Sequence, residues 1–67
     1  MTHATLNGEA RELPIGTTLE AVVRLLTARP SGVAAAVNGS VIPRRQWAAT
    51  PVDDGDEVEI LTAAQGG

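Results

Sequence analysis

The two glycines at positions 66 and 67 are the residues of this sequence best suited to covalent chemistry, because they carry the C-terminal carboxylate. Glycine has no Cβ, so a Gly66-Gly67 segment can follow nearly any backbone path and enter a channel too narrow for side chains. A carboxylate presented in this way suits activation by another enzyme. The competing interpretation is an ordinary polar terminus, which most domains have.

A short run of residues without bulky side chains precedes these glycines. Ala64 and Gln65 follow a strand-like sequence that stops near residue 62. Their size suits insertion into a narrow site, so we expect Ala64, Gln65 and Gly66 to accompany Gly67 into a partner.

The length and composition restrict the other chemistry that is available. A length of 67 residues allows one domain, which we expect to occupy residues 1–62, with residues 63–67 as a flexible C-terminal tail. Cysteine and lysine are both missing, which removes thiol nucleophiles, thiolate metal sites and Schiff-base chemistry. The single histidine, His3, has no visible partner and is expected to be an exposed surface residue. We therefore predict no catalytic residue.

The charge and hydropathy of the chain restrict the kinds of partner that it can bind. A formal net charge of −3 argues against nucleic acid, whose binding requires clustered cations. No apolar stretch approaches the length of a membrane span, and the N-terminal region lacks a signal peptide. The acidic residues within 53–59 do not have the spacing of a calcium loop, so no metal site is predicted. We expect a cytoplasmic protein that binds neither nucleic acid nor membrane.

Turn and strand signals divide the sequence into short elements. Asn7-Gly8 and Asn38-Gly39 are favoured pairs for tight hairpin turns. Strand-like runs lie on either side of each pair and near the C-terminus. The predicted strands are 2–6, 9–13, 33–37, 40–42 and 57–62. We expect the apolar run 33–37 to be packed on both faces or mostly so.

One helix is predicted between the two hairpins. Thr17 and Glu20 fit a capping box, in which each side chain bonds the backbone N–H of the other residue. Apolar residues then recur at helical spacing, which gives the helix one buried stripe. These residues are Leu19, Val22, Val23 and Leu26. Two hairpins around one helix predict an α+β fold, in which all strands share one sheet and the helix lies across one face.

The last predicted strand has an inner and an outer face. Alternation points Val58 and Ile60 inward, and Glu59 and Leu61 outward. Leu61 is an outward apolar residue close to the tail, and it is our candidate for an interface anchor. Glu59 belongs to the acidic segment 53–59, whose carboxylates either form a solvated face or steer a basic partner.

The segment between the second hairpin and the acidic residues is predicted to be irregular. Trp47, the single aromatic residue, is expected to seal an open end of the small core rather than to form a docking surface. In one interpretation, Arg44 and Arg45 pair with the segment 53–59, where exposed pairs contribute only about 0–1 kcal/mol. In the other, one of them contacts a partner enzyme, and Arg44 is the candidate.

Several motifs of the sequence, taken together, resemble those of a known family. They are Asn7-Gly8, Gly16-Thr17-Thr18-Leu19, Val37-Asn38-Gly39, Pro43-Arg44-Arg45-Gln46-Trp47, Asp54-Gly55-Asp56-Glu57-Val58-Glu59-Ile60 and Gly66-Gly67. The chain resembles the ThiS family, the sulfur-carrier proteins of thiamine biosynthesis, over essentially its whole length. The Pro-Arg-x-x-Trp motif combined with a terminal Gly-Gly is the most specific part of this match.

The resemblance implies a ubiquitin-like β-grasp fold with a mixed sheet of four to five strands, whose first and last strands are adjacent and parallel. It also implies that a ThiF-like adenylating enzyme uses ATP to convert the carboxylate of Gly67 to an acyl-adenylate. A cysteine-derived sulfur donor then displaces AMP and leaves a thiocarboxylate. That sulfur passes to a ThiG-like thiazole synthase, where it enters the thiazole ring. The carrier is a protein substrate rather than an enzyme.

Three other classes of protein share parts of this pattern. The molybdopterin-synthase sulfur carrier has the same fold and tail, but the Arg-x-x-Trp segment favours the thiamine protein. A ubiquitin-like modifier that is conjugated to lysines also ends in Gly-Gly. A TGS-like binding module shares the Gly-Asp strand motif, but the negative charge and the near absence of stacking aromatics disfavour it.

Overall fold

The computed structural model describes residues 1–27 and 32–62. The strands are β1 (Thr2–Leu6), β2 (Glu9–Leu13), β3 (Val33–Val37), β4 (Ser40–Ile42) and β5 (Glu57–Thr62). The α-helix is α1 (Leu19–Leu26), and a 3₁₀ helix spans Arg44–Ala49. The predicted strand boundaries are confirmed. The predicted division at residue 62 and the tail over residues 63–67 stay predictions, because the tail lies outside the described residues.

The strands form one mixed sheet in the order β2-β1-β5-β3-β4. β1 and β5 are parallel, whereas the pairs β1–β2, β3–β4 and β3–β5 are antiparallel. The adjacent, parallel first and last strands are as the family resemblance implies. β5 is therefore the central strand of the sheet, although it is the last of the described elements.

Both predicted hairpin turns are confirmed. Asn7 and Gly8 have φ values of 50° and 82°, and Asn38 and Gly39 have values of 52° and 85°. Positive φ at both central positions matches the twist of the flanking strands, and asparagine and glycine tolerate it best. These turns set the register of the two hairpins.

The start of α1 differs from the prediction by one residue. Thr18, not Thr17, caps the helix, and its Oγ1 accepts a hydrogen bond from the Ala21 backbone N–H at 3.2 Å. The Thr17 hydroxyl instead donates to the Pro14 carbonyl at 2.6 Å. The predicted capping box between Thr17 and Glu20 is therefore wrong. Glu20 lies 3.5 Å from Arg24 one turn later and forms an exposed ion pair.

The core lies between α1 and the inner face of the sheet, with residues of the segment that follows β4 also packed into it. Its buried apolar residues are Ala4, Leu6, Leu13, Leu19, Val22, Val23, Ala35, Trp47, Val52, Val58 and Ile60. Leu26 is only half-buried, because it lies in the last turn of the helix at the margin of this cluster. The predicted helical stripe is thus confirmed at three of its four positions.

Two expectations about the middle of the chain are wrong. Ala34 in β3 is exposed, so this strand is not packed on both faces; only Ala35 is fully buried. The segment after β4 is not irregular, since Arg44–Ala49 is a 3₁₀ helix. Trp47 fixes that helix, because its ring is 3% exposed and its indole N–H donates to the Ile42 carbonyl at 2.9 Å. The packing role predicted for Trp47 is confirmed.

None of the helices within residues 1–27 and 32–62 has the length and apolar character required to cross a lipid bilayer.

Candidate functional site

β5 leads into the predicted tail, and two asparagines fix its position. The side-chain oxygen of Asn38 accepts from the Glu57 N–H at 2.9 Å, and the Asn38 N–H donates to the Glu57 carbonyl at 2.7 Å. The Asn7 N–H donates to the Val58 carbonyl at 2.9 Å, and its side-chain oxygen accepts from the Ile60 N–H at 2.8 Å. The turn residues therefore hold both the beginning and the middle of β5 in register.

An apolar patch lies on the outer face of the sheet at the end of β5. We call it the outer-face patch; its members are Leu61, Ala34, Ala36 and Val41. Leu61 is opposite Ala34, and Ala36 is opposite Val41, in adjacent strand pairs. Leu61 and Val41 are 66% and 72% exposed. Because neither of the described helices covers this face, their side chains are available to a partner.

Glu59 borders the outer-face patch, since it pairs with Ala36 in the register of β3 and β5. Its side chain is exposed, as is that of Glu57. The orientations predicted for Leu61 and Glu59 are confirmed. Their role as interface residues is not tested by geometry alone and stays a prediction.

Two of the remaining acidic residues of the segment 53–59, Asp54 and Asp56, have carboxylates that accept hydrogen bonds. One Asp56 oxygen accepts from the Asn38 side chain at 3.0 Å, and the other accepts from the Asp53 N–H at 2.8 Å. Asp54 accepts the His3 backbone N–H at 2.6 Å. These carboxylates hold the turn before β5 in place, which leaves the two strand glutamates as the outward acidic face.

His3 does not lack partners, contrary to the prediction. Its Nε2 lies 3.1 Å from a Glu12 oxygen, and its Nδ1 lies 3.4 Å from Asp54. Asp54 is 51 positions away in sequence, whereas Glu12 lies opposite His3 in the first hairpin, where the register set by the Asn7-Gly8 turn was an available signal. The pKa of the Asp54 carboxyl lies below its usual 3.8, mainly because the carboxylate accepts the His3 backbone N–H, with further help from the His3 side chain.

Of the two interpretations left open for Arg44 and Arg45, pairing with the acidic segment is wrong. Within the described part of the chain, no ion pair joins either arginine to residues 53–59. Both arginines instead line a cleft of about 480 Å³ between α1 and the 3₁₀ helix. This cleft is on the helix side of the sheet, so Arg44 does not share a surface with Leu61 and Glu59.

Four of the predicted site residues lie outside the described residues. They are Ala64, Gln65, Gly66 and Gly67. Across the ranges that are described, no group of three or more histidine, cysteine, aspartate or glutamate side chains is arranged to hold a metal ion. The sequence analysis missed Ala34, Ala36 and Val41 of the outer-face patch. In β3 and β4, side chains alternate between the two faces of the sheet. This alternation was the signal in the sequence that could have placed these residues on the outer face.

Comparison with known proteins gives matches over nearly the whole chain. The ThiS family profile matches residues 4–67. The chain is 34% identical over 61 residues to the sulfur carrier protein ThiS of Escherichia coli (strain K12), covering 91% of this chain and 92% of that protein. The crystal structure of the thiamine biosynthesis protein ThiS from Geobacter metallireducens is similar with a TM-score of 0.82 and 30% identity, covering 98% of this chain and all of that one.

The mixed five-stranded sheet with a helix on one face defines this chain as a ubiquitin-like β-grasp protein. Within that class, the family profile and both relatives indicate the same family. The chain belongs to the ThiS family.

Proposed function

We propose that this protein is the sulfur carrier of thiamine biosynthesis and that it acts as a substrate for other enzymes rather than as an enzyme. One observation carries the proposal: the central strand β5 runs directly into the predicted tail, inside a chain that belongs to the ThiS family. A strand fixed between two neighbours is a rigid base for a reactive terminus. The names of the relatives support the same role.

The proposed reaction uses the carboxylate of Gly67. In a ThiF-like adenylating enzyme, a carboxylate oxygen attacks the α-phosphorus of ATP, the bond to the bridging oxygen breaks, and pyrophosphate leaves. The resulting acyl-adenylate has a good leaving group in place of a poor one. A cysteine-derived donor supplies sulfur at the oxidation level of hydrogen sulfide, which attacks the glycyl carbonyl carbon. The carbon–oxygen bond to AMP then breaks and leaves a thiocarboxylate.

The thiocarboxylate is proposed to deliver sulfur to a ThiG-like thiazole synthase. The carrier binds no cofactor in this scheme, because the adenylating enzyme holds the ATP. Ala64, Gln65 and Gly66 precede the reacting residue and have no bulky side chain, which suits passage into both enzymes. We propose that the carrier acts in the cytoplasm, where ATP is available to the adenylating enzyme.

The outer-face patch is the proposed docking surface for these enzymes. Leu61 lies on β5 just before the tail and is 66% exposed. A partner that binds Leu61 is therefore also positioned to bind the C-terminal residues. Exposed apolar anchors that become buried on association contribute a large share of binding energy. Glu59, beside the patch, adds a negative charge that favours a basic partner surface and speeds association.

A chain that lacks Gly66 and Gly67 tests the role of the tail. In a reaction with the adenylating enzyme, ATP and a sulfur donor, the full chain is expected to acquire sulfur and the shortened chain is not. Both chains are expected to unfold cooperatively, because none of the described core residues follows Ile60. Sulfur loading of the shortened chain would refute the proposal, and loss of its cooperative unfolding would refute the division at residue 62.

Two leucine substitutions test the docking surface. Leu61→Gln is expected to raise the KM of the adenylating enzyme for the carrier by about tenfold or more, the loss of one good apolar anchor. Leu25→Gln is the matched control, because Leu25 is 55% exposed on α1, away from the outer face of the sheet. An equal effect of both substitutions, or no effect of Leu61→Gln, would argue against this surface.

A further inference from the structure

The cleft between α1 and the 3₁₀ helix concentrates the positive charge of an acidic protein. The chain carries five arginines and a net charge of −3. Three of the arginines, Arg24, Arg44 and Arg45, line this one cleft. Of the described residues in its wall, only Glu20 is acidic, and it lies 3.5 Å from Arg24. The cleft therefore carries a surplus of two positive charges, opposite in sign to the whole molecule.

Arg44 and Arg45 retain their capacity to bind an anion. Among residues 1–27 and 32–62, neither has a carboxylate within ion-pair distance, whereas Arg11 and Arg24 each pair with a glutamate at 3.5 Å. A guanidinium group carries five N–H donors and matches a carboxylate or phosphate with two parallel hydrogen bonds. Two such groups at one cleft provide a surface that is complementary to an anionic ligand.

The cleft has a rigid wall. Val23 is fully buried and Trp47 nearly so, and both form part of its lining. The indole N–H of Trp47 is already used in the hydrogen bond to Ile42. The core therefore holds in place the backbone from which the arginines project, so little backbone order must be gained when a ligand binds. A volume of about 480 Å³ is much larger than a single inorganic anion requires and is typical of sites for larger ligands.

We propose that this cleft binds an acidic segment of a partner protein through the carboxylates of aspartate or glutamate side chains. Two features favour separate carboxylates over phosphate. Among the described residues, the lining contains no glycine, serine or threonine, which often supply phosphate contacts beside arginine. The Glu20 carboxylate in the wall repels a concentrated dianion more strongly than single charges spread along a chain.

This docking site is separate from the outer-face patch. The cleft includes residues of α1, which covers the inner face of the sheet, whereas Leu61 lies on the outer face. The inference therefore does not depend on chemistry at Gly67. A peptide-binding measurement can fail while sulfur loading succeeds, and the reverse.

The test uses the full chain labelled with ¹⁵N and a hexaglutamate peptide as the probe. Trp47 is the single tryptophan, so its indole N–H gives one unambiguous signal at the cleft. We expect the peptide to shift this signal and the side-chain N–H signals of Arg44 and Arg45, with weaker binding at higher salt. Arg45→Glu is expected to weaken binding by about tenfold or more, the effect of losing one charge-assisted hydrogen bond.

Arg11→Glu is the matched control, since it makes the same charge change on β2 and is expected to alter affinity less than about twofold. The dispersion of the amide signals shows whether Arg45→Glu disturbs the fold. If it does, Arg44→Glu replaces it as the test variant. The proposal is wrong if the peptide causes no shift at the cleft, or if Arg11→Glu weakens binding equally. It is also wrong if pyrophosphate binds there more tightly than the peptide. Shifts of the same signals with protein concentration alone, lost in Arg45→Glu, would assign the cleft to a second copy of this chain instead.

Discussion

The side-chain oxygen of Asn7 accepts a hydrogen bond from the backbone N–H of Ile60 at 2.8 Å, between residues that are 53 positions apart. β1 ends at Leu6, and its last parallel pairing is with Val58. The side-chain amide of Asn7 therefore adds one more hydrogen bond to β5 beyond the point at which β1 ends. This contact holds β5 just before Leu61, and it explains how a two-residue turn also positions the strand that leads to the tail.

Removal of the Asn7 side chain is expected to loosen β5. Asn7→Gly tolerates the positive φ of 50° but leaves the Ile60 N–H without its acceptor. The expected loss of stability is about 0.5–1.5 kcal/mol, together with faster hydrogen exchange at Ile60. Asn7→Asp is the control, because it keeps an oxygen acceptor and should keep Ile60 protected. Equal exchange rates in both variants would contradict the role of this hydrogen bond.

Trp47 is expected to contribute through its N–H as well as its ring. Trp47→Phe keeps an aromatic ring in the core but leaves the Ile42 carbonyl without its 2.9 Å donor, which we expect to cost about 1–3 kcal/mol. Trp47→Ala also creates a cavity and should cost about 3–5 kcal/mol. Denaturant unfolding followed by circular dichroism measures both. A stability of Trp47→Phe equal to that of the unaltered protein would show that the hydrogen bond adds nothing.

Two leucines on α1 provide a direct test of which helical face is buried. Leu19 is fully buried and Leu25 is 55% exposed. Leu19→Ala is expected to reduce the free energy of unfolding by about 2–5 kcal/mol, the usual cost of a cavity in the core. Leu25→Ala is expected to stay within about 0.5 kcal/mol, since it is an exposed change to a good helix former. Similar costs at the two positions would mean that the face is assigned wrongly.

The contact between His3 and Asp54 predicts a pH dependence at the acidic end of the scale. The folded pKa of Asp54 lies below the usual 3.8, so this carboxylate stabilises the fold above that pH, and the effect is lost as the pH falls through the folded pKa. A carboxyl titration by NMR should give a midpoint below 3.8, with the His3 amide signal following the same curve. Asp53→Asn, which leaves the hydrogen bond in place, should preserve that midpoint. A midpoint at or above 3.8 would contradict the assignment.

Local signals were sufficient to predict most of the fold. The two Asn-Gly pairs and the alternation in β5 depend on neighbouring residues alone, so the sequence identified both hairpins and the outward direction of Leu61. The start of α1 was wrong by one residue because Thr17 and Thr18 are equally good caps locally. Contacts from Val52 to Thr17 and from Leu19 to Thr50 decide between them, and these are not visible in the sequence.

The errors at the candidate site have the same cause. One of the two partners of His3, Asp54, was missed because it is 51 positions away. Arg44 had two open interpretations, of which pairing with the acidic segment depended on charge alone. The 3₁₀ helix, fixed by the burial of Trp47, turns Arg44 toward α1 instead. Charge complementarity in a sequence indicates which residues can pair, but the packing of the core decides which of them meet.

The proposed function is tested most directly by the mass of the protein after reaction. The full chain is incubated with ATP, a ThiF-like adenylating enzyme and a cysteine-derived sulfur donor, and its intact and fragment masses are measured. The account predicts the mass change for replacement of one oxygen by sulfur, located at Gly67. An unchanged mass, a change located elsewhere, or adducts joined to lysines of other proteins through an isopeptide bond would contradict it.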